Sequence, residues 1–310
     1  MRLGVLDIGS NTVHLLAANA RPGGRPTATT SDRTVLRLMR FLTAEGTISE
    51  EGVRALEAAV TRARRIAESE SVDALLATAT SAVREARNGD EIIARIEAAL
   101  GQPIQVLGGQ AEAELTYLAV RRWFGWAAGR IMLLDIGGGS FEFAAGAEET
   151  PELAASVPLG AGRMTVQFLP DDPPGTDAVE HLRAHARTVL EPLAAQFAAL
   201  GRPDHFVGSS KAIRSLATLA GRRVTSIPSY DRVELGKDAL ASWIPRLAKI
   251  PAEARQELPG ITADRTFQIV AAAVCLHTAM DAFRIDVLEV CPWALREGVL
   301  LRYIESLPPR

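Results

Sequence analysis

The sequence predicts an α/β protein built from two similar halves that face each other across a cleft. Segments typical of buried strands alternate with segments of helical periodicity. One strand–turn–strand pattern occurs twice along the chain. The length of 310 residues is about two domains' worth of chain, at roughly 150 residues per domain. These three observations together favour two α/β domains.

The repeated pattern is a hydrophobic strand, an acidic residue, a glycine turn and a second hydrophobic strand. Its first copy contains Asp7-Ile-Gly-Ser-Asn11, and its second copy contains Asp135-Ile-Gly-Gly-Gly-Ser140 followed by Phe and Glu142. Glycine permits the tight turn and leaves the backbone N–H groups uncovered. Such amides can cradle phosphate oxygens while the carboxylate at the strand end holds a cation. The repeat therefore predicts two phosphate-binding turns, each accompanied by a metal-binding carboxylate.

Composition narrows the class of protein further. Apolar residues make up 47% of the chain and charged residues 23%, as is ordinary for a globular enzyme. A net charge of −3 argues against a general nucleic-acid binder. The apolar runs are far shorter than the roughly 20 residues of a membrane span, which predicts no membrane partner. The two cysteines, Cys275 and Cys291, form no CxxC pair, which indicates a reducing, cytoplasmic setting.

Capping and turn residues predict the elements around the two turns. Ser49 is expected to cap a helix, because Glu50 and Glu51 follow it at the positive end of the helix dipole. Outside the repeat, strands are predicted at 74–80, 104–107, 205–208 and 287–290, helices at 90–100, 178–200, 212–220, 263–283 and 295–304, and loops at 21–25 and 171–175.

Several motifs together resemble the exopolyphosphatase and guanosine pentaphosphate phosphatase family. Besides the two glycine turns they include Ala79-Thr-Ser-Ala-Val-Arg84 followed by Asn88. The segment Ala294-Leu-Arg-Glu-Gly-Val-Leu300 is similar to the family's closing motif. The resemblance covers residues 3–304 in matching order and spacing. Within the family, the chain is most similar to the short, two-domain exopolyphosphatases of actinobacteria.

The resemblance implies a fold and an activity. The fold is two ribonuclease-H-like domains of the actin-like ATPase type, shared with hexokinase and the heat-shock ATPases. We expect the first domain at 1–119, joined by a C-terminal helix at 295–310, and the second at 120–294. The implied activity is hydrolysis of the terminal phosphoanhydride of inorganic polyphosphate to release orthophosphate. A Mg²⁺ cofactor and a homodimer are implied in the same way.

The family's catalytic glutamate lies at the start of a helix that here reads Gly109-Gln-Ala-Glu-Ala-Glu-Leu115. Aligning this segment on Leu115 and Tyr117 assigns the role to Glu112, which would orient or deprotonate the attacking water. Glu114 is the competing candidate. Ala111 replaces a carboxylate that the family commonly carries beside the catalytic position.

The remaining expected site residues bind the transferred phosphate and the metal ion. Arg84 would neutralise developing charge. Lys211 is expected to contact phosphate because it opens a helix behind a polar turn, and a helix start of this kind binds anions. The family's loop here reads Gly-x-Ser-Gly-Thr, and Ser210 and Lys211 depart from it. The expected phosphate-binding set is Gly9, Ser10, Asn11, Gly137, Gly138, Gly139, Ser140, Ser209 and Lys211, and the expected metal-binding set is Asp135, Glu142 and Asp7.

Other functions share most of these features. Hydrolysis of pppGpp to ppGpp uses the same active-site set, but the altered loop and the lack of further C-terminal domains favour polyphosphate, including short chains. An ATP-dependent kinase of the same superfold is disfavoured by that loop as well. A non-catalytic sensor of polyphosphate or (p)ppGpp stays open because of Ala111. Phosphate release in the presence of Mg²⁺ separates the sensor from the enzymes.

Overall fold

The chain divides into two compact α/β units. The computed structural model describes residues 1–226 and 230–307. Unit 1 comprises Met1–Ala119 together with Leu295–Arg310, and unit 2 comprises Val120–Ala294. Each unit is built on one mixed β-sheet with helices packed against it. The predicted α/β class is confirmed.

Unit 1 contains a sheet in the order β3-β2-β1-β4-β5. Its strands are β1 (Arg2–Ile8), β2 (Thr12–Asn19), β3 (Thr27–Val35), β4 (Ala74–Ala79) and β5 (Gln105–Val106). β1 pairs antiparallel with β2 and parallel with β4. The apolar side chains of β1 are buried on both faces of the strand, as expected for a central strand.

The helices of unit 1 cover this sheet. They are α1 (Glu50–Ser69), α2 (Ser81–Glu85), α3 (Gly89–Leu100) and α4 (Gly109–Phe124), whose last residues belong to unit 2. The hydroxyl of Ser49 accepts a hydrogen bond from the N–H of Gly52, so the predicted cap of α1 is confirmed. Gly101 ends α3 in the left-handed conformation that glycine adopts at low cost.

Unit 2 contains a sheet in the order β10-β11-β12-β9-β6-β7-β8. Its strands are β6 (Ile131–Ile136), β7 (Phe141–Gly146), β8 (Leu153–Val157), β9 (His205–Gly208), β10 (Arg222–Ser226), β11 (Tyr230–Gly236) and β12 (Val287–Val290). The run β8-β7-β6-β9-β12 repeats the order and directions of β3-β2-β1-β4-β5. The internal repeat predicted from two glycine turns thus extends to five strands in each unit.

The helices of unit 2 are α5 (Ala161–Phe168), α6 (Thr176–Ala198), α7 (Lys211–Ala220), α8 (Lys237–Leu247), α9 (Ala252–Arg255) and α10 (Ile269–Ala282). α10 is almost entirely apolar, and its side chains from Ile269 to Met280 are buried with the sole interruption of His277. Helices α5, α6, α7 and α8 pack around it. A helix that is apolar on all sides is stable only in such surroundings.

The predicted helix at 263–283 is wrong at its start. Residues 263–268 form turns, in which the Asp264 carboxylate accepts a 2.6 Å hydrogen bond from Thr262 Oγ1 and contacts Lys211 Nζ at 3.2 Å. Short polar side chains that bond locally compete with helix formation. The predicted strand at 104–107 is also shorter, because only Gln105–Val106 pair with β4.

The C-terminal helix α11 (Leu295–Ser306) packs on the sheet of unit 1. Leu300 and Ile304 join the cluster formed by Leu3 and Val5 of β1. A Cβ at Gly298 would lie 1.9 Å from the carbonyl oxygen of Leu115, so glycine permits the close approach of α11 and α4.

Candidate active site

The first glycine turn joins β1 to β2. The N–H of Gly9 donates to the carbonyl of Thr12 at 3.0 Å, which closes the turn. Asp7 lies at the end of β1, and its Oδ1 is buried and has no hydrogen-bond partner among the described residues. Burial raises the pKa of this carboxyl, and Arg296, whose Nη1 lies 3.7 Å from Oδ2, opposes that rise. Such an oxygen is stabilised by a cation.

Two polar residues of the first turn are buried as well. Ser10 Oγ lies 2.9 Å from Ser81 Oγ, at the start of α2, and the two hydroxyls share a hydrogen bond. Nδ2 of Asn11 is buried and has no hydrogen-bond partner within the described part of the chain. Leaving a buried donor unsatisfied costs about 1–3 kcal/mol. A phosphate oxygen is a suitable acceptor for this donor.

Glu112 is buried in the first turn of α4 and paired with Arg84. Nη1 of Arg84 donates to Glu112 Oε1 and, at 2.6 Å, to the carbonyl of Leu107. Arg84 ends α2, the helix that Ser81 begins beside the first turn. The residues expected for water activation and charge neutralisation therefore lie together in unit 1, joined to the glycine turn by the short α2.

Glu114 differs from Glu112 in its surroundings. Its Oε1 accepts a 2.9 Å hydrogen bond from Gln110 Nε2 one turn earlier on α4, and its side chain is partly exposed. An i,i+4 pair of this kind is ordinary for a helix surface. The buried, arginine-paired carboxylate is thus Glu112, and Glu114 is the natural control residue for it.

The second glycine turn, between β6 and β7, repeats the first. The N–H of Gly137 donates to the carbonyl of Ser140 at 2.9 Å. Asp135 and Glu142 occupy paired positions on the two strands. Asp135 Oδ2 accepts from the hydroxyl of Ser209, and Glu142 Oε1 accepts from Ser156 Oγ at 2.9 Å. The two carboxylates predicted as metal ligands are therefore neighbours, each held by a serine.

Sequence reasoning missed the segment that supports this turn. The N–H groups of Ala161 and Arg163 donate to the carbonyls of Gly137 and Gly138 at 2.9 Å. Nε of Arg163 donates to the carbonyl of Gly139 at 2.8 Å. A Cβ at Gly160 would lie 2.2 Å from the carbonyl carbon of Gly139, so only glycine permits this contact. The paired glycines of Gly160-Ala-Gly were the available signal.

Gln268 was missed as well. It immediately precedes α10 and is 2% exposed. A Cβ at Gly162, beside the second turn, would lie 3.1 Å from the Oε1 of Gln268. Nε2 is buried without a hydrogen-bond partner among residues 1–226 and 230–307. Its isolated position in the sequence gave no signal of this role.

The side chains of the Ser209–Lys211 turn, which are expected to contact phosphate, already have partners within the protein. Ser209 holds Asp135, and Ser210 caps α7 by accepting from the N–H of Ile213 at 3.1 Å. Nζ of Lys211 lies 3.2 Å from Asp264 Oδ2. The charge of Lys211 is therefore compensated within unit 2.

Across residues 1–226 and 230–307, no three His, Cys, Asp or Glu side chains are arranged to hold a metal ion. Among the same residues, no helix has the length and apolarity that crossing a membrane requires. The pair Asp135 and Glu142 remains the densest carboxylate arrangement at either turn.

The family model for Ppx/GppA phosphatases matches residues 18–307. The chain belongs to the Ppx/GppA phosphatase family. The predicted family membership is confirmed, and the matched range includes both α4 and the second glycine turn.

Relatives within the Ppx/GppA family are similar over nearly the whole chain. A protein of Mycobacterium tuberculosis named Exopolyphosphatase 1 is 44% identical, with 99% of this chain and 89% of the relative covered. An uncharacterized protein of Streptomyces coelicolor is 41% identical, over 99% of this chain and 92% of that protein.

Solved Ppx/GppA structures have the same two-domain architecture. A crystal structure of an exopolyphosphatase from Cytophaga hutchinsonii superimposes with a TM-score of 0.87 at 25% identity, covering 99% of each chain. The Ppx/GppA family member of Aquifex aeolicus gives a TM-score of 0.79 at 25% identity, again with 99% of each chain covered. The expected two-domain fold is confirmed.

Proposed function

We propose that this protein is a Mg²⁺-dependent exopolyphosphatase that releases orthophosphate from the end of inorganic polyphosphate. The observation that carries the proposal is the 44% identity, over 99% of the chain, to proteins named Exopolyphosphatase 1. The prediction made from the sequence motifs agrees with those names. The buried polar atoms at the two glycine turns support it independently.

In this proposal the two turns receive phosphate oxygens. Phosphoryl transfer depends on positioning and charge neutralisation more than on covalent chemistry. Gly9 closes the first turn, at which Ser10 and Asn11 act, and Gly137, Gly138, Gly139 and Ser140 act at the second. The unpartnered amides of Asn11 and Gln268 gain acceptors when a phosphate binds. Ser209 orients Asp135, and Lys211, at the start of α7, contacts phosphate only by leaving its ion pair with Asp264.

Glu112 is the proposed general base. Its carboxylate accepts a proton from the attacking water or orients that water by a hydrogen bond. Burial keeps the side chain in one geometry, and the hydrogen bond from Arg84 fixes its Oε1 atom. The other carboxylate oxygen, Oε2, is the one we assign to the water. Nη2 of Arg84 lies 3.3 Å from the exposed Glu85, and we propose that it turns to a phosphate oxygen when substrate binds.

The carboxylates fit a magnesium ion. Mg²⁺ is usually held by one or two carboxylates, with waters and substrate phosphates completing its shell. Asp135 and Glu142 form such a pair, and the buried Oδ1 of Asp7 gains a favourable partner from a cation. When bound, the ion neutralises charge on the phosphate oxygens.

Three finer expectations remain proposals. Cys275 and Cys291 are buried thiols and not a disulfide, which agrees with the cytoplasmic location that we propose. Burial raises the pKa of Cys275 to about 12, which makes this thiol unreactive. Assembly as a homodimer and binding of (p)ppGpp rest on the family resemblance.

The test is phosphate release with Mg²⁺ from short polyphosphate, long polyphosphate, pppGpp and ATP. We expect release from polyphosphate and little from pppGpp or ATP. Release from pppGpp alone would make the protein a pppGpp phosphohydrolase. Binding of polyphosphate without release from any substrate would make it a sensor.

A further inference from the structure

Unit 1 carries a pocket that the proposed reaction does not use. It has a volume of about 590 Å³, and its polar lining includes Arg37, Arg40, Thr43, Ser49 and Glu51. We refer to these residues as the arginine pocket. A short 3-10 helix runs from Leu38 to Phe41; Arg37 immediately precedes it, and Arg40 lies within it.

The arginine pocket is tied directly to the first glycine turn. The carbonyl of Asn11 accepts hydrogen bonds from the N–H groups of Leu36 at 2.9 Å and Arg37 at 3.0 Å. The carbonyl of Ser10 accepts from the N–H of Leu38 at 2.8 Å. One backbone segment thus forms a wall of the pocket and holds the turn proposed to bind the transferred phosphate.

The backbone of Arg37 is held in an unfavourable conformation. Its φ of 56° and ψ of 52° lie in the left-handed region, which is strained for a residue other than glycine and persists only where the surrounding structure holds it. Glycine would adopt this conformation at lower cost, yet the chain has arginine here. The three N–H bonds to the first turn keep the segment in place and fix where the Arg37 side chain leaves the backbone.

The charges of the pocket suit a flexible polyanion. Guanidinium groups bind phosphate oxygens through paired N–H donors. Ser49 caps α1, a helix of 20 residues, so the positive end of the helix dipole also lies at the pocket. Glu51 supplies one opposing charge, so the charged side chains that line the pocket are positive on balance.

We infer that the arginine pocket binds the phosphate groups of polyphosphate that follow the one being cleaved. This inference rests on the proposed exopolyphosphatase function. A polyphosphate chain carries about one negative charge per unit, so its remainder needs cationic contacts beyond the glycine turn. Arg37 and Arg40 lie on the segment that holds the first glycine turn, which places them close to the proposed phosphate-binding turn. The pocket would therefore set the preference for long over short chains.

The test compares long polyphosphate with tripolyphosphate in Arg37→Gln, Arg40→Gln and the double variant. We expect the KM for long chains to rise about tenfold per arginine, the effect of losing one charge-assisted hydrogen bond. Tripolyphosphate has too few phosphate groups to fill both the glycine turn and the pocket in this proposal, so its kcat/KM should stay within about twofold of the native value. A melting temperature equal to that of the native protein would confirm that each variant is folded.

Two control variants sharpen the comparison. Glu51→Gln removes the opposing charge and should lower the KM for long chains. Arg65→Gln removes an exposed arginine about 24 Å further along α1, at 1.5 Å per residue, and should change neither substrate. An unchanged long-chain KM in the double variant would overturn the inference, as would an equal loss on both substrates by a folded variant. A native protein inactive on all polyphosphates would instead refute the proposed function.

Discussion

Arg84 and Glu112 form a partly buried pair in unit 1, in which Nη1 of the guanidinium donates to Oε1 of the carboxylate. The same Nη1 donates to the carbonyl of Leu107, in the segment that leads into α4. Arg84 thus links the end of α2 to the start of α4 and fixes the carboxylate between them. This link is the basis of the first prediction.

Replacing Arg84 with lysine should lower kcat about tenfold or more. Lysine keeps the positive charge, but its single ammonium cannot replace both Nη1, which donates to Glu112 and Leu107, and Nη2, which we assign to a phosphate oxygen. The positioning of Glu112 is then lost, and misplacement of a catalytic group is costly. Steady-state phosphate release measures the effect. The matched control is Arg87→Lys, three residues further on at an exposed position, which should be neutral; equal rates in both variants would contradict the role of Arg84.

Gly160→Ala should disable the second glycine turn. The new Cβ would lie 2.3 Å from the N atom of Ser140 and must displace the turn. A shift of about 1 Å can cost about 10²-fold in rate. Gly175→Ala is the control, since a Cβ there meets no described heavy atom within 4 Å and the φ of Gly175 is −68°. We expect phosphate release to collapse in the first variant only; full activity of Gly160→Ala would show that the turn is not needed.

Gln268→Leu should lower kcat/KM for polyphosphate about tenfold without reducing the melting temperature. The change removes a buried donor that is unsatisfied among the described residues, so the folded state loses little. The complex with substrate nevertheless loses the hydrogen bond that we expect Nε2 of Gln268 to donate to a phosphate oxygen. Gln196→Leu, on the exposed face of α6, controls for loss of an amide. A lower melting temperature with native kinetics would assign Gln268 a purely structural role.

The stability of unit 2 should fall as His277 becomes protonated. Burial lowers the pKa of His277, and Arg183, whose Nη1 lies 3.2 Å from Nδ1, lowers it further. The unfolded chain therefore binds this proton more tightly than the folded chain. The free energy of unfolding should decline as the pH falls below about 6.5, the ordinary histidine pKa. Urea unfolding of His277→Gln should show a shallower decline, and identical pH profiles would exclude His277 as the source.

Local sequence signals predicted the parts of the site that lie within one short segment. Asp7 and Asp135 could be placed at strand ends because an aliphatic run precedes each and a glycine turn follows. Ser49 could be named as a cap because Glu50 and Glu51 follow it at the start of the helix. Contacts between distant segments could not be found in this way. The support of Gly139 by Gly160 depends on packing that no periodicity reports.

The same limit applies to the partners and backbone conformations of single residues. Ser209 was assigned to phosphate because it lies in a polar turn, but its hydroxyl donates to Asp135, 74 residues earlier in the chain. The strained Arg37 gave no sequence signal, because a left-handed arginine resembles any other arginine in a loop. Side-chain partners of this kind are determined by the completed fold.

The central claim is that Glu112 activates the water that attacks polyphosphate. The most direct measurement is the rate of phosphate release from polyphosphate by the native protein, Glu112→Gln and Glu114→Gln, with polyphosphate binding measured in parallel. We expect Glu112→Gln to bind polyphosphate as the native protein does but to release phosphate about 10²-fold more slowly or worse, the scale of general-base loss. Glu114→Gln should remain close to native. A near-native rate in Glu112→Gln, with a loss in Glu114→Gln, would contradict the assignment.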